Sequence, residues 1–323
     1  MKVLLASPRG FCAGVERAIE IVDLALDAFK PPVYVRKEIV HNRFVVEDLR
    51  QRGAVFVDEL AEVPAGGTVV FSAHGIAPSV RADAKARGLR AIDATCPLVT
   101  KVHLEVTRFL QEGYELVLVG HAGHDEVVGT MGEAPGRILL VTCVEDARAL
   151  EVRDPARLMV LTQTTLSMDD TAAIMALLRE RFPRLSFPPS DDICYATRNR
   201  QQAVKALAGR APVILVVGAK NSSNSIRLME VARDTGARAY LVNHVGEVDW
   251  SWREGADAVG VSAGASAPER IVRELVNMIV RRFGGTVEEV RTVPETVHFT
   301  LPPELEAAVA ARRLPAPAAR GPP

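Results

Sequence analysis

The chain has 323 residues, 48% of them hydrophobic and 24% charged, the make-up of a globular protein long enough for two or three domains. Its 39 basic and 40 acidic residues leave a formal net charge of −1, so no global field draws it to nucleic acid or to an anionic membrane. No apolar run approaches the roughly 18–20 residues of a membrane span, and four scattered cysteines make no disulfide framework, so a reducing cytoplasm fits best.

In chain order, residues 1–7 read as a buried first strand, since the apolar stretch is too short for a secretory signal and Pro8-Arg9-Gly10 interrupts it. Cys12 follows. Val15, Ala18, Ile19, Val22, Leu26 and Phe29 then mark one helical face. The strand Val33-Tyr34-Val35 opens into a loop holding His41 and Asn42, and a helix and the strand Ala54-Val55-Phe56-Val57 come next. A third strand, Val69-Val70-Phe71, ends in Ser72-Ala73-His74-Gly75, and a fourth leads to Cys96.

The same order then recurs. After Cys96 the helical stripe is Val99, Val102, Val106, Phe109 and Leu110, and Leu116-Val117-Leu118-Val119 runs toward His124-Asp125-Glu126. Ile138-Leu139-Leu140-Val141 forms the next strand, Leu158-Met159-Val160-Leu161 opens into Thr162-Gln163-Thr164-Thr165, and a fourth strand is expected before Cys194. After Cys194 the stripe is weaker, carried by Ala203, Val204 and Leu207. Strands at 213–217, 239–242 and 258–261 follow, the first opening into Ser222-Ser223-Asn224 and the last into Ser262-Ala263-Gly264-Ala265-Ser266.

This threefold repeat of strand and helix predicts an α/β protein of three small parallel-sheet units, spanning 13–96, 97–193, and 1–12 with 194–283. The N-terminal strand is expected to complete the third unit, with 286–290 as its competitor for that place. Residues 284–323 form a C-terminal extension whose Pro-, Ala- and Arg-rich end, from 302, reads as a poorly ordered tail.

Chemistry gathers at the strand ends. Cys12, Cys96 and Cys194 lie 84 and 98 residues apart, so no C-x-x-C pair is present, yet each sits in a turn between a strand-like run and an amphipathic helix. Three thiols at a repeated position can meet at one metal centre. Zinc is the rival to an iron–sulfur cluster, but a cube spans a wider gap between separate units and keeps one iron open when only three thiolates hold it. Cys143, between Val141 and Val144, breaks the repeat and reads as core. His41, His74 and His124, with Thr164, Ser222, Ser223, Asn224 and Ser266, supply donors suited to phosphate oxygens; His103 and His121 fall near the same loops. Residues 220–225 precede a helix and offer backbone N–H groups to an anion, though a plain N-cap would look the same. Glu126 is the candidate proton donor, with Asp125 as the alternative, because burial would hold a carboxyl protonated near neutrality.

Taken in order, Pro8-Arg9-Gly10-Phe11-Cys12-Ala13-Gly14-Val15, Ser72-Ala73-His74-Gly75, Asp93-Ala94-Thr95-Cys96-Pro97, Gly129-Thr130-Met131-Gly132, Gln163-Thr164-Thr165-Leu166-Ser167, residues 220–225 and Ser262-Ala263-Gly264-Ala265-Ser266-Ala267-Pro268 form a specific set. The chain resembles the 4-hydroxy-3-methylbut-2-enyl diphosphate reductases, terminal enzymes of the non-mevalonate isoprenoid pathway, over about residues 1–269. The resemblance implies a trefoil of three α/β units around one [4Fe–4S] cluster held by Cys12, Cys96 and Cys194, with the fourth iron open to the substrate hydroxyl. It implies Glu126 as proton source, Thr164 orienting the hydroxyl, and His41, His74, His124, Ser222, Ser223, Asn224 and Ser266 gripping the diphosphate. Two electrons from a ferredoxin or flavodoxin and two protons would yield isopentenyl or dimethylallyl diphosphate and water. No G-x-G-x-x-G run argues for a bound nicotinamide instead. Asp125 stands where the family usually has proline. Two readings compete: a cluster carrier or redox sensor without turnover, and a non-redox iron–sulfur dehydratase that needs no reductant.

Overall fold

The computed structural model describes residues 1–313, with side chains through residue 310. After β1 (Lys2–Ser7), the first unit runs α1 (Ala13–Phe29), β2 (Val33–Arg36), α2 (Arg43–Gln51), β3 (Ala54–Val57), β4 (Thr68–Phe71), α3 (Pro78–Ala86) and β5 (Arg90–Asp93). The second runs α4 (Pro97–Gln111), β6 (Glu115–Val119), α5 (Asp125–Met131), β7 (Ile138–Val141), α6 (Val144–Ala149), β8 (Leu158–Thr162) and α7 (Met168–Arg181). The third has α8 (Tyr195–Ala208), β9 (Val213–Val217), α9 (Ser223–Asp234), β10 (Arg238–Val242), β11 (Ala258–Ala263) and α10 (Glu269–Phe283), followed by β12 (Thr286–Arg291) and α11 (Pro303–Arg313).

Three parallel sheets result, ordered β3-β2-β4-β5, β7-β6-β8 and β10-β9-β11-β1-β12. Strands β8, β9 and β11 are buried along their whole lengths, as expected where helices cover both faces of a parallel sheet. In every sheet the first strand of the unit lies between the second and the third, so connections leave it in opposite directions. A crevice opens beyond the carboxyl ends of such a strand pair, at the topological switch point. His41 and His74 follow the pair β2 and β4, His124 and Thr164 follow β6 and β8, and Ser222 and Ser266 follow β9 and β11. The architecture is the set of three small parallel α/β sheets read from the repeat, in keeping with the trefoil that the resemblance implies.

Several details differ from expectation. Residues 1–7 and 286–290 do not compete: β1 pairs with β11 on one side and β12 on the other, giving the third sheet a fifth strand. The fourth strand of the second unit shrinks to a single bridge between Met159 and Ser186, since Pro183, Pro188 and Pro189 leave no room for a ladder. The expected tail is helical over Pro303–Arg313, where Leu305 is fully buried in the α1 core, a burial worth about 2 kcal/mol; residues 314–323 lie outside the described part. Cys143 lies beyond the end of β7, as the N-cap of α6, and is half-buried. On α1 the buried stripe includes Ile21 and Ala25, while Ile19 and Phe29 sit at its margin.

Candidate active site

Each of the three cysteines is the N-cap residue of the first helix of its unit: Cys12 on α1, Cys96 on α4 and Cys194 on α8. Strand, turn and helix recur because each turn must reverse the chain, and a helix N-terminus presents unpaired N–H groups that favour a thiolate. Cys194 Sγ accepts from Thr197 N at 3.3 Å and lies 3.1 Å from Thr197 Oγ1. All three thiols line one cavity of about 710 Å³, its open mouth included. Gly14 shows how closely they approach, since a Cβ there would stand 2.7 Å from Cys96 Sγ and 3.9 Å from Cys12 Sγ.

Burial, aided by the charge of Cys12, pushes Cys96 up to about 12 and Cys194 up to about 11. Three thiolates packed this way need a cation to neutralise them, so the donor set fits a metal group that binds with release of protons. A single zinc ion would require sulfurs about 3.8 Å apart. Among the described residues, only His41, His74 and Asp125 bring three such ligand atoms within 4.8 Å of one another; the three sulfurs stand wider. That spacing argues against a single ion held by all three thiols. The histidine set is a poor cation site, because the His41 and His74 rings stack at 4.0 Å and 18°, which keeps their in-plane lone pairs in separate, nearly parallel planes.

Glu126 lies in the first turn of α5 and is fully buried within the same cavity. Its Oε1 accepts from Thr164 N at 2.7 Å and its Oε2 from Thr164 Oγ1 at 3.1 Å. Burial outweighs these bonds and, with the nearby Asp192 charge, raises Glu126 to about 7. Thr164 is tied to the thiol side as well, its carbonyl accepting from Cys194 N at 3.0 Å. Asp125 is the first residue of α5, a position that suits proline for its fixed φ and aspartate for the helix dipole.

The imidazoles of His41, His74 and His124 form a mutual cluster, with His124 edge-on to the other two at 5.5 and 5.9 Å. Burial and its two neighbours hold His74 well below the usual range, and burial with His41 and His121 lowers His124 to about 4. Both rings are therefore neutral at pH 7. His124 Nδ1 accepts from Glu126 N at 3.2 Å, which leaves the proton on Nε2. Glu38, absent from the sequence reading, orients His41: Nδ1 donates to Glu38 Oε2 at 3.2 Å, and Asn221 Nδ2 donates to the same oxygen at 2.8 Å.

On the third unit, Ser222 caps α9 by accepting from Ser225 N and Ser225 Oγ. Ser223 Oγ lies 3.2 Å from Thr165 Oγ1, and Gln163 Nε2 donates to Thr165 Oγ1 at 2.8 Å, joining the second and third units. Ser266 Oγ donates to His41 O at 3.0 Å, joining the third and first. Asn224 is buried in the cavity with both amide atoms unpartnered, and His74 Nδ1 is likewise buried without a partner. Buried polar atoms of this kind await a ligand. The three cysteines, Glu126, Thr164 and the seven expected diphosphate ligands thus line one cavity; Asp125, His121 and His103 lie outside its lining, His103 inside α4 with Nδ1 2.7 Å from Glu133. Gln163, Thr165 and Glu38 went unread because each contacts another unit, whereas Thr197 acts within its own helix cap, three residues from Cys194. Only the recurrence of hydroxyls around Thr164 hinted at them.

Comparison with known proteins agrees with this arrangement. The family model described as LytB protein matches residues 3–280. A protein of Azoarcus sp. (strain BH72) named 4-hydroxy-3-methylbut-2-enyl diphosphate reductase is 57% identical over 307 residues, covering 95% of this chain and 98% of its own. One of the same name from Acidothermus cellulolyticus is 55% identical over 315 residues, covering 97% and 93%. Among solved structures, the E-1-hydroxy-2-methyl-but-2-enyl-4-diphosphate reductase of Plasmodium falciparum superposes with a TM-score of 0.94 at 39% identity, covering 97% of this chain and 98% of that one. With three such sheets around one thiol-lined cavity and relatives more than half identical along nearly their full length, the chain belongs to the LytB protein family.

Proposed function

We propose that this chain, an oxidoreductase by its kinship, reductively dehydroxylates (E)-4-hydroxy-3-methylbut-2-enyl diphosphate to isopentenyl and dimethylallyl diphosphate. The observation that carries the reading is one cavity holding three helix-capping thiols, the Glu126–Thr164 pair and a set of unpartnered phosphate-type donors. Bound by Cys12, Cys96 and Cys194, a [4Fe–4S] cluster would supply an open iron and two electrons, received one at a time from a ferredoxin or flavodoxin.

The residues divide the remaining work. His41, His74, His124, Ser222, Ser223, Asn224 and Ser266 hold the diphosphate, with Asn224 Nδ2 and His124 Nε2 free to donate. Fixing that end brings the C4 hydroxyl to the thiol side, where Thr164 Oγ1 orients it and Glu126 holds a proton. Loss of the hydroxyl as water consumes two protons and two electrons, and a proton delivered at either end of the allylic unit gives one of the two products. The units 13–96, 97–193, and 1–12 with 194–283 would act as three walls, with 284–323 as an added segment. A reducing cytoplasm would keep the three cavity thiols reduced. Among the described residues no helix is long and apolar enough to cross a membrane.

Anaerobic turnover of the reconstituted protein with the hydroxybutenyl diphosphate and a viologen reductant tests this. Two isomeric diphosphates should form only when reductant is present. Turnover without reductant would instead make the protein a dehydratase, and binding without turnover a sensor or carrier.

A further inference from the structure

The extension after β12 runs from 292 to 302 without helix or strand, yet it is tied to the core at both ends. Thr292 N and Oγ1 donate to Ser7 O at 2.9 and 3.1 Å, and Leu301 packs into the core beneath α1. Between these anchors it meets two arginines. Arg200, on α8, has no exposed surface, and its side chain bonds Glu295 through Nη1 to Oε1 at 2.9 Å and Nη2 to Oε2 at 3.2 Å. Asn199 Nδ2 adds a donor to Glu295 Oε1 at 3.1 Å. The other guanidinium hydrogens go to the cysteine turns: Nε and Nη2 donate to Gly10 O at 3.0 and 2.8 Å, Nη2 to Phe11 O at 3.1 Å, and Nη1 to Ala196 O at 3.0 Å.

Gly10 and Phe11 precede Cys12, and Ala196 follows Cys194 by two residues. One guanidinium therefore ties the helix capped by Cys194 to the Cys12 turn. The remaining cysteine turn is reached by Arg17, whose Nε donates to Thr300 O at 2.6 Å and Nη1 to Thr95 O at 3.1 Å, next to Cys96. A helix cap bonded only within its own unit could not fix the spacing between units. Two arginines bonded to one strap can.

We propose that residues 292–302 form a strap that sets the spacing of the three thiols, with Arg200, Glu295 and Arg17 as its positioning residues. This rests on the iron–sulfur reading above. Arg200 is buried and neutralised by Glu295, whose side chain is 16% exposed. Glu295→Gln would leave a fixed unpaired cation beside the thiolate cradle, which favours the more negative, reduced form of the cluster. Arg17→Gln would free the Cys96 turn without altering any buried ion pair.

The test uses full-length protein reconstituted anaerobically. Iron release to bathophenanthroline disulfonate is timed, the cluster midpoint potential is titrated, and the melting of the cluster-free chain is recorded for each variant. Release should be roughly ten- to a hundredfold faster in both variants, the range for lost support behind metal ligands. The potential should rise in Glu295→Gln, and apo melting should change little in Arg17→Gln. Wild-type release rates and potential in both variants would overturn the proposal, as would iron loss that merely follows lost apo stability. If the wild type holds no iron–sulfur cluster, the functional reading fails and takes this inference with it. A wild-type cluster indifferent to both substitutions sinks the strap alone.

Discussion

Glu126, raised to about 7 by burial, carries a proton below neutrality and loses it above. Turnover should therefore fall as pH rises through about 7, because the acid form is the working one. Glu126→Gln should lower turnover by roughly 10²–10⁴ while leaving iron content and KM near wild type. Its pH profile should also lose the descending limb, and near-normal turnover would remove Glu126 as the acid. The histidines make a separate prediction. His74 and His124 are neutral at pH 7 because burial and neighbouring rings disfavour their charge, and a bound diphosphate reverses that balance. Binding should take up roughly one to two protons near neutrality, declining toward alkaline pH. Calorimetry in buffers of different ionisation enthalpy reads this directly, and zero uptake would mean that the rings stay neutral against the ligand. Cys143 lies outside the cavity lining, so Cys143→Ser should retain full iron.

At the scale of elements, the unit that matters is strand, turn and capped helix. It was legible because Cys12, Cys96 and Cys194 each interrupt a shift from strand to helix periodicity. The four-strand pattern was less so in the second unit, where prolines reduce the last strand to one bridge. Nor could periodicity show that 303–313 is helical, since that helix is held by Leu305 against α1, a contact made nearly three hundred residues away in sequence. Gly14 tests the element directly. Alanine is favoured over glycine inside a helix by about 1 kcal/mol, so Gly14→Ala should leave the apo-protein as stable or more so. Its Cβ would press on Cys96 Sγ at 2.7 Å, and iron per chain should drop sharply. Apo melting together with iron content separates the two effects. Full iron in this variant would show that the thiols can spread.

Across the whole molecule, three switch points open onto one cavity, and no single unit contains a complete site. The repeat in the sequence carried this much, because equivalent turns in equivalent units must face a common axis if they face one another at all. What it could not carry were the bonds between units, Ser223 to Thr165 and Ser266 to His41 O, or the strap that Arg200 and Arg17 share. Those depend on side chains far apart in sequence and leave no periodic trace. Conversely, His103 looked like a member of the site by its position in the chain, and Glu133 keeps it out. The central claim is that the three thiols hold a cluster with one iron open to the diphosphate. Mössbauer and EPR spectra of the anaerobically prepared protein, with and without the hydroxybutenyl diphosphate, address it most directly. A [4Fe–4S] signal in which substrate perturbs one iron is the expected result; zinc in its place, or a cluster spectrum that substrate leaves untouched, would contradict it.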